Sequence, residues 1–310
     1  MRRPFIRTLT ELARKDERIV LLTADLGFMA LETFSESFPD RFFNVGVSEQ
    51  NMMGVATGLA EAGFIPFVYS IVPFAVLRPY EFIRNGPMDH ALPVRIIGIG
   101  GGFDYGTNGI SHYGLEDIGI LRILPGMNIV APADHLQACE ALKSTWNLPM
   151  PVYYRLGKDE VNTIAGLDGR FEFAIPQLIG KGTDILIVSI GNVTNEAAEA
   201  LKILEGRGVQ GTLMVVSHIH DSMRDNLADV LKMFCLAITV EGHFVNGGLG
   251  SLISEVVAEN GLPCKVLRCG VRTFPNGLSG SQSCMHTLNG ISGRQIAEKG
   301  LELLGKMPGE

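Results

Sequence analysis

A glutamate, a histidine and clusters of glycine stand where they could do chemistry on a bound ligand. Glu49 opens a helical-period segment in VGVSEQNMMG, directly after the apolar run FFNVGV. An acid there can complement a helix macrodipole, or it can act on a ligand at the mouth of a strand. The loop GGGFDYGTNGISHYGLED, residues 100–117, packs glycines around His112. Such a backbone can approach a ligand closely, although a histidine in a structural turn has the same signature. The stretch EGHFVNGGLGS brings Glu241 and His243 before another helical segment, which suits an anion at a helix N-terminus or simple turn chemistry. The dinucleotide fingerprint is not matched, because Phe103 stands where the third glycine after Gly98 and Gly100 is required, and no P-loop is present.

The elements that must hold these residues follow from hydrophobic patterning. From Ile19 onward, short β-branched runs alternate with helical-period segments, as in IVLLTAD, IPFVYSIV, VRIIGIG, MNIVAPA and PVYYRLG. Near-continuous apolar runs are what parallel strands buried on both faces require. Ser48 and Asp134 are good helix N-caps. Around residues 158–183 the periodicity lapses, and a second strand–helix series then runs from DILIVSIG to GRQIAEKGLELLG. The expected fold is α/β: two parallel-sheet, three-layer domains over residues 1–165 and 184–310, with a linker at 166–183.

At 310 residues, 46% hydrophobic and 19% charged, the chain can bury a large core. The net charge of −7 argues against nucleic acid and polybasic membrane contacts. Five cysteines without metal spacing read as reduced thiols, and no apolar run reaches the length of a membrane span, so a cytoplasmic protein is expected.

VGVSEQNMMGVATGLA, then GTNGISHYGLED with LRILPGMNIVAPAD, then the arginine in VYYRLG, then VEGHFVNGGLGS occur in one order along the whole chain. That series resembles the pyrimidine-binding and C-terminal domains of the transketolase family. The resemblance implies thiamine diphosphate as cofactor, with Glu49 hydrogen-bonding the aminopyrimidine so that the cofactor can deprotonate its own thiazolium C2. A carboxyl that donates such a bond must be protonated, so a dry, apolar pocket is expected around it. By the same resemblance Phe74 stacks on the pyrimidine, Asp25 lies near the cofactor, and His112 meets substrate hydroxyls and moves protons. Asn108 replaces the usual substrate-binding aspartate, and Gly100 falls near a usual second histidine. Arg155 is implied to hold a substrate phosphate, with Arg3 as a second anion contact.

The family carries Mg2+ through a GDG motif with a trailing asparagine in a separate domain; GLDGR at 166–170 lacks that context. The implied protein is the C-terminal subunit of a split transketolase in carbohydrate metabolism. It would be a heterotetramer with an N-terminal diphosphate-binding subunit, self-associating about a two-fold axis and acting on small anionic sugars. Its domain one would then present an exposed apolar face. Rival readings are a beta-type subunit of a 2-oxo acid dehydrogenase, a decarboxylating deoxyxylulose phosphate synthase-like enzyme, and a non-catalytic scaffold.

Overall fold

In the computed structural model, which describes residues 1–306, twelve strands form two sheets among the described residues. The first contains β1 (Ile19–Thr23), β2 (Phe42–Asn44), β3 (Ile65–Ile71), β4 (Arg95–Ile99), β5 (Asn128–Val130) and β6 (Val152–Leu156). The second contains β7 (Gln177–Gly180), β8 (Ile185–Ile190) and β9 (Gly211–Val215), then β11 (Leu236–Phe244) and β12 (Lys265–Val271). Strand β10 (His218–Ile219) follows β9 in the chain but joins the first sheet. The orders are β10-β5-β6-β4-β3-β1-β2 and β12-β11-β8-β9-β7.

All pairings are parallel except β10 with β5 and β7 with β9. The apolar strands are sealed as their patterns require: every residue of β1, β3, β4, β6, β8 and β9 is buried. Each fully buried Val, Leu or Ile contributes about 1.5–3 kcal/mol.

Three features depart from the sequence reading. The linker is not a plain tether, since Gln177–Gly180 pairs with β9 as an edge strand and Ile164 and Leu167 are buried. The halves are not independent, because β10 crosses back to β5 and one core cluster joins Ile129 and Ala131 to Val188, Val216 and Ile219. A helix at Arg2–Ala13 packs Phe5, Ile6, Leu9 and Ala13 inward behind a charged outer face. Of the two N-caps, Asp134 accepts from Gln137 N at 2.9 Å. Ser48 occupies its cap position without a side-chain bond.

Strand order reverses at two places, between β1 and β3 in the first sheet and between β8 and β11 in the second. Ligands of open α/β sheets bind at such switch points, outside the carboxyl ends of the strands.

Candidate active site

The first switch point collects three sequence candidates. Glu49 begins the helix Glu49–Glu61 after β2, Phe74 lies on the short helix Val72–Val76 after β3, and Asp25 follows β1. Glu49 is buried, and its Oε1 lies 3.4 Å from the Ser70 hydroxyl. Phe74 meets His112 edge-on, ring centroids 5.2 Å apart. His112 belongs to the 3-10 turn Ile110–His112, where Ser111 Oγ stands 2.9 Å from its Nδ1. Phe74 thus joins His112 on one side to Arg78 and, through it, to Glu49 on the other.

The sequence reading missed Arg78. Its Nη1 donates to Glu49 Oε2 at 2.9 Å, and its guanidinium carbon lies 4.0 Å from the centre of the Phe74 ring. The expected apolar surroundings of Glu49 therefore need correction, because the partner of the buried carboxylate is a cation. The signal was present as Phe74-x-x-x-Arg78, a spacing of one helical turn that sets a cation over a ring.

Asp25 stands apart from these contacts. It adopts φ 57° and exchanges two hydrogen bonds with Asn44, its N donating to Oδ1 at 3.1 Å and its Oδ1 accepting from Nδ2 at 2.9 Å. It lines a shallow hollow of about 250 Å³ with Thr23, Gly27 and Phe42. Asn108 is exposed at the end of the turn Gly106–Asn108, four residues before His112. Arg3 is exposed and paired with Glu160 at 2.6 Å.

The reading of Arg155 as a phosphate ligand is corrected by its burial. It lies within β6, its Nε donating to Asp117 Oδ2 at 2.7 Å and its Nη2 to the carbonyls of Gly114 and Gly242. Both side chains of that pair are closed to solvent. A second cation on the His112 side is Lys158: its Nζ lies 4.3 Å from the Tyr105 ring centre, and that ring centre is 6.1 Å from that of His112. Gly100, with φ +84°, leaves Tyr105 its space, since a Cβ there would run into the ring.

In the EGHFVNGGLGS segment the helix N-terminus is capped from within, while His243, Phe244, Asn246 and Gly247 line an open hollow of about 670 Å³. Glu241 accepts from the amides of Leu249 and Gly250 at 2.7 and 2.9 Å, so its own carboxylate takes the first amides of the helix Leu249–Glu259. Burial pushes its pKa up to about 7. His243 Nδ1 donates to Phe244 O at 2.6 Å and Nε2 accepts from Gly119 N at 3.1 Å, which fixes a neutral ring, and burial lowers its pKa. No group of three or more His, Cys, Asp or Glu able to hold a metal occurs among the described residues. No helix among them is long and apolar enough to cross a membrane.

Comparison with known proteins settles the relationship. Residues 1–163 match the transketolase pyrimidine-binding domain and residues 177–296 the transketolase C-terminal domain. The chain belongs to the transketolase family. It is 35% identical to a putative transketolase C-terminal section of Methanocaldococcus jannaschii, covering 99% of this chain and 96% of that one. It is 34% identical to one subunit of the apulose-4-phosphate transketolase of Phocaeicola vulgatus, with 86% of each chain covered. A solved split-gene transketolase, an inactive beta4 tetramer, superposes with a TM-score of 0.85 at 32% identity, covering 97% of both chains. This transketolase-family chain is therefore a subunit-type section carrying the pyrimidine-binding and C-terminal domains.

Proposed function

We propose that the chain is the C-terminal subunit of a split, thiamine diphosphate-dependent transketolase that moves a two-carbon ketol unit between anionic sugars. The observation that carries this reading is Glu49, a buried carboxylate at the switch point of the first sheet, linked through one flat guanidinium to the face of Phe74. A carboxylate and an aromatic face bridged by a planar hydrogen-bonding group fit the edge and face of an aminopyrimidine. Glu49 would bind its ring nitrogen and Phe74 would stack on it. Bound there, the cofactor supplies a carbon nucleophile that carries the ketol unit.

The remaining chemistry falls to this chain's side chains. His112 is half-buried with a hydroxyl on Nδ1, leaving Nε2 to exchange protons with substrate hydroxyls. Lys158, exposed at the end of β6, takes over the anion contact that Arg155 is too enclosed to make. Exposed apolar residues on the elements that carry the site, Phe43, Val47, Val55, Leu77 and Phe82, are suited to burial against other chains. A diphosphate-binding subunit carrying Mg2+ and a second copy of this chain would cover them.

The test uses the complex assembled with such a subunit and assayed for ketol transfer. Glu49→Gln, which keeps shape and removes the ionisable group, is expected to lower kcat by about 10²–10⁴ with cofactor still binding. Undiminished turnover in that variant, or transfer by the isolated chain, would overturn the reading.

A further inference from the structure

Glu49 and Arg78 make an unequal pair: the Glu49 side chain is 2% exposed and the Arg78 side chain 46%. No ring nitrogen can reach so enclosed a carboxylate unless its cover moves, and of the two groups bonded to it, the buried Ser70 hydroxyl and Arg78 Nη1, the half-exposed arginine is the one free to move. The same guanidinium lies on the Phe74 ring. Flat, weakly hydrated and rich in edge donors, it satisfies both surfaces that an aminopyrimidine would use.

We infer that Arg78 is a positioning residue that keeps the cofactor's place, its guanidinium occupying the space between Phe74 and Glu49 until the aminopyrimidine displaces it. The inference rests on the proposed function and adds a named competitor to it. Among the described residues Glu49 is the only ion-pair partner of Arg78, so the displaced arm goes to solvent and gives up its contacts there. The closed arrangement is not competent to bind. The apparent cofactor affinity is then the intrinsic affinity reduced by the fraction of chains in which Arg78 has swung out. In the filled state Arg78 holds the Glu49 carboxylate and Phe74 ring in the orientation the heterocycle will find.

The experiment is a calorimetric titration of the assembled two-subunit complex with thiamine diphosphate at fixed Mg2+. Arg78→Met keeps length and loses the flat cation. It is expected to bind the cofactor about tenfold more tightly, the scale of a half-exposed cation–π contact plus part of a charge-assisted hydrogen bond. Arg78→Lys keeps the ion pair without the planar stack and is expected to fall between. A merely structural arginine would change the melting temperature and not the affinity. Equal or weaker binding by Arg78→Met overturns the inference, weaker binding meaning that Arg78 touches the bound cofactor. Should that variant fail to assemble, Arg78→Lys decides by the same rule. Were the wild-type complex to take up no thiamine diphosphate, the proposed function and this inference would fall together. Uptake by wild type without tighter binding in the variants removes the inference alone.

Discussion

The two switch points of this chain have the same topology and opposite fates. At the β1/β3 crevice an arginine half in solvent rests on a ring and a buried carboxylate. At the β8/β11 crevice the chain bonds to itself. Asp104, from the first domain's glycine-rich loop, accepts from Asn192 Nδ2 at 2.5 Å and Gln282 Nε2 at 2.6 Å. Glu241 stoppers the adjacent helix. Topology thus supplies a place for a ligand, and the side chains decide whether the protein keeps it open or uses it to fasten two domains. Two arginine–carboxylate pairs of similar length, 2.9 Å for Arg78–Glu49 and 2.7 Å for Arg155–Asp117, express the difference.

That contrast is sharpest in stability. Arg155→Met leaves the buried Asp117 charge with the Tyr153 hydroxyl alone, its Oδ1 already lacking a partner, and takes one donor from each of the carbonyls of Gly114 and Gly242. The expected cost is about 3–5 kcal/mol in urea unfolding. Arg78→Met also strands a buried carboxylate, but the lost cation is half-exposed and water can take its place beside Glu49, so the expected cost is smaller, about 1 kcal/mol. Equal effects at the two sites would break the distinction between a fastening pair and a place-keeping pair.

The sequence made the parallel strands legible because burial on both faces leaves them continuously apolar. Edges carry no such mark: β10 has two residues and β7 four, and both pair antiparallel. Glu49 and His112 drew attention because one follows the end of a strand and the other lies in a glycine loop, whereas Phe74 was pointed to only by the family resemblance. Arg155 misled because a guanidinium fork suits a carboxylate as well as a phosphate, and nothing in the order of residues places Asp117 beside it. The charged Arg2, Arg3, Arg7 and Glu11 hid the amphipathic spacing of the first helix.

The fastened region should also respond to pH. His218, buried on β10, accepts from Ala174 N on Nδ1 at 3.2 Å and so donates from Nε2 to Asn128 Oδ1 at 3.2 Å. A ring so placed is neutral, and burial pushes its pKa down to about 3. The unfolded chain binds a proton near pH 6.5 that the folded chain refuses. The stability linked to His218 is therefore complete above about pH 6.5 and lost as pH falls toward 3, by about 1.4 kcal/mol per unit. Urea midpoints of His218→Gln between about pH 6 and 4 should lack that slope relative to wild type. Identical slopes would mean that the junction opens to water around this ring.

A pair of conservative phenylalanine replacements makes the finest probe of the same comparison. Phe74 is half-buried at the open crevice, with Arg78 on its face and His112 at its edge. Phe103 is fully buried beside the fastened one, edge-on to Tyr113 at 5.1 Å. Leucine retains apolar bulk in each place and deletes the π face. Stacking beyond simple burial is worth about 0.5–1.5 kcal/mol, so Phe74→Leu should weaken thiamine diphosphate binding by the assembled complex about three- to tenfold and barely move the melting temperature. Phe103→Leu, a swap of similar volume in a packed interior, should cost about 1 kcal/mol of stability and leave cofactor affinity alone. If Phe103→Leu were the one to weaken the cofactor, the fastened crevice would be transmitting to the open one, and the two could not be treated as separate devices.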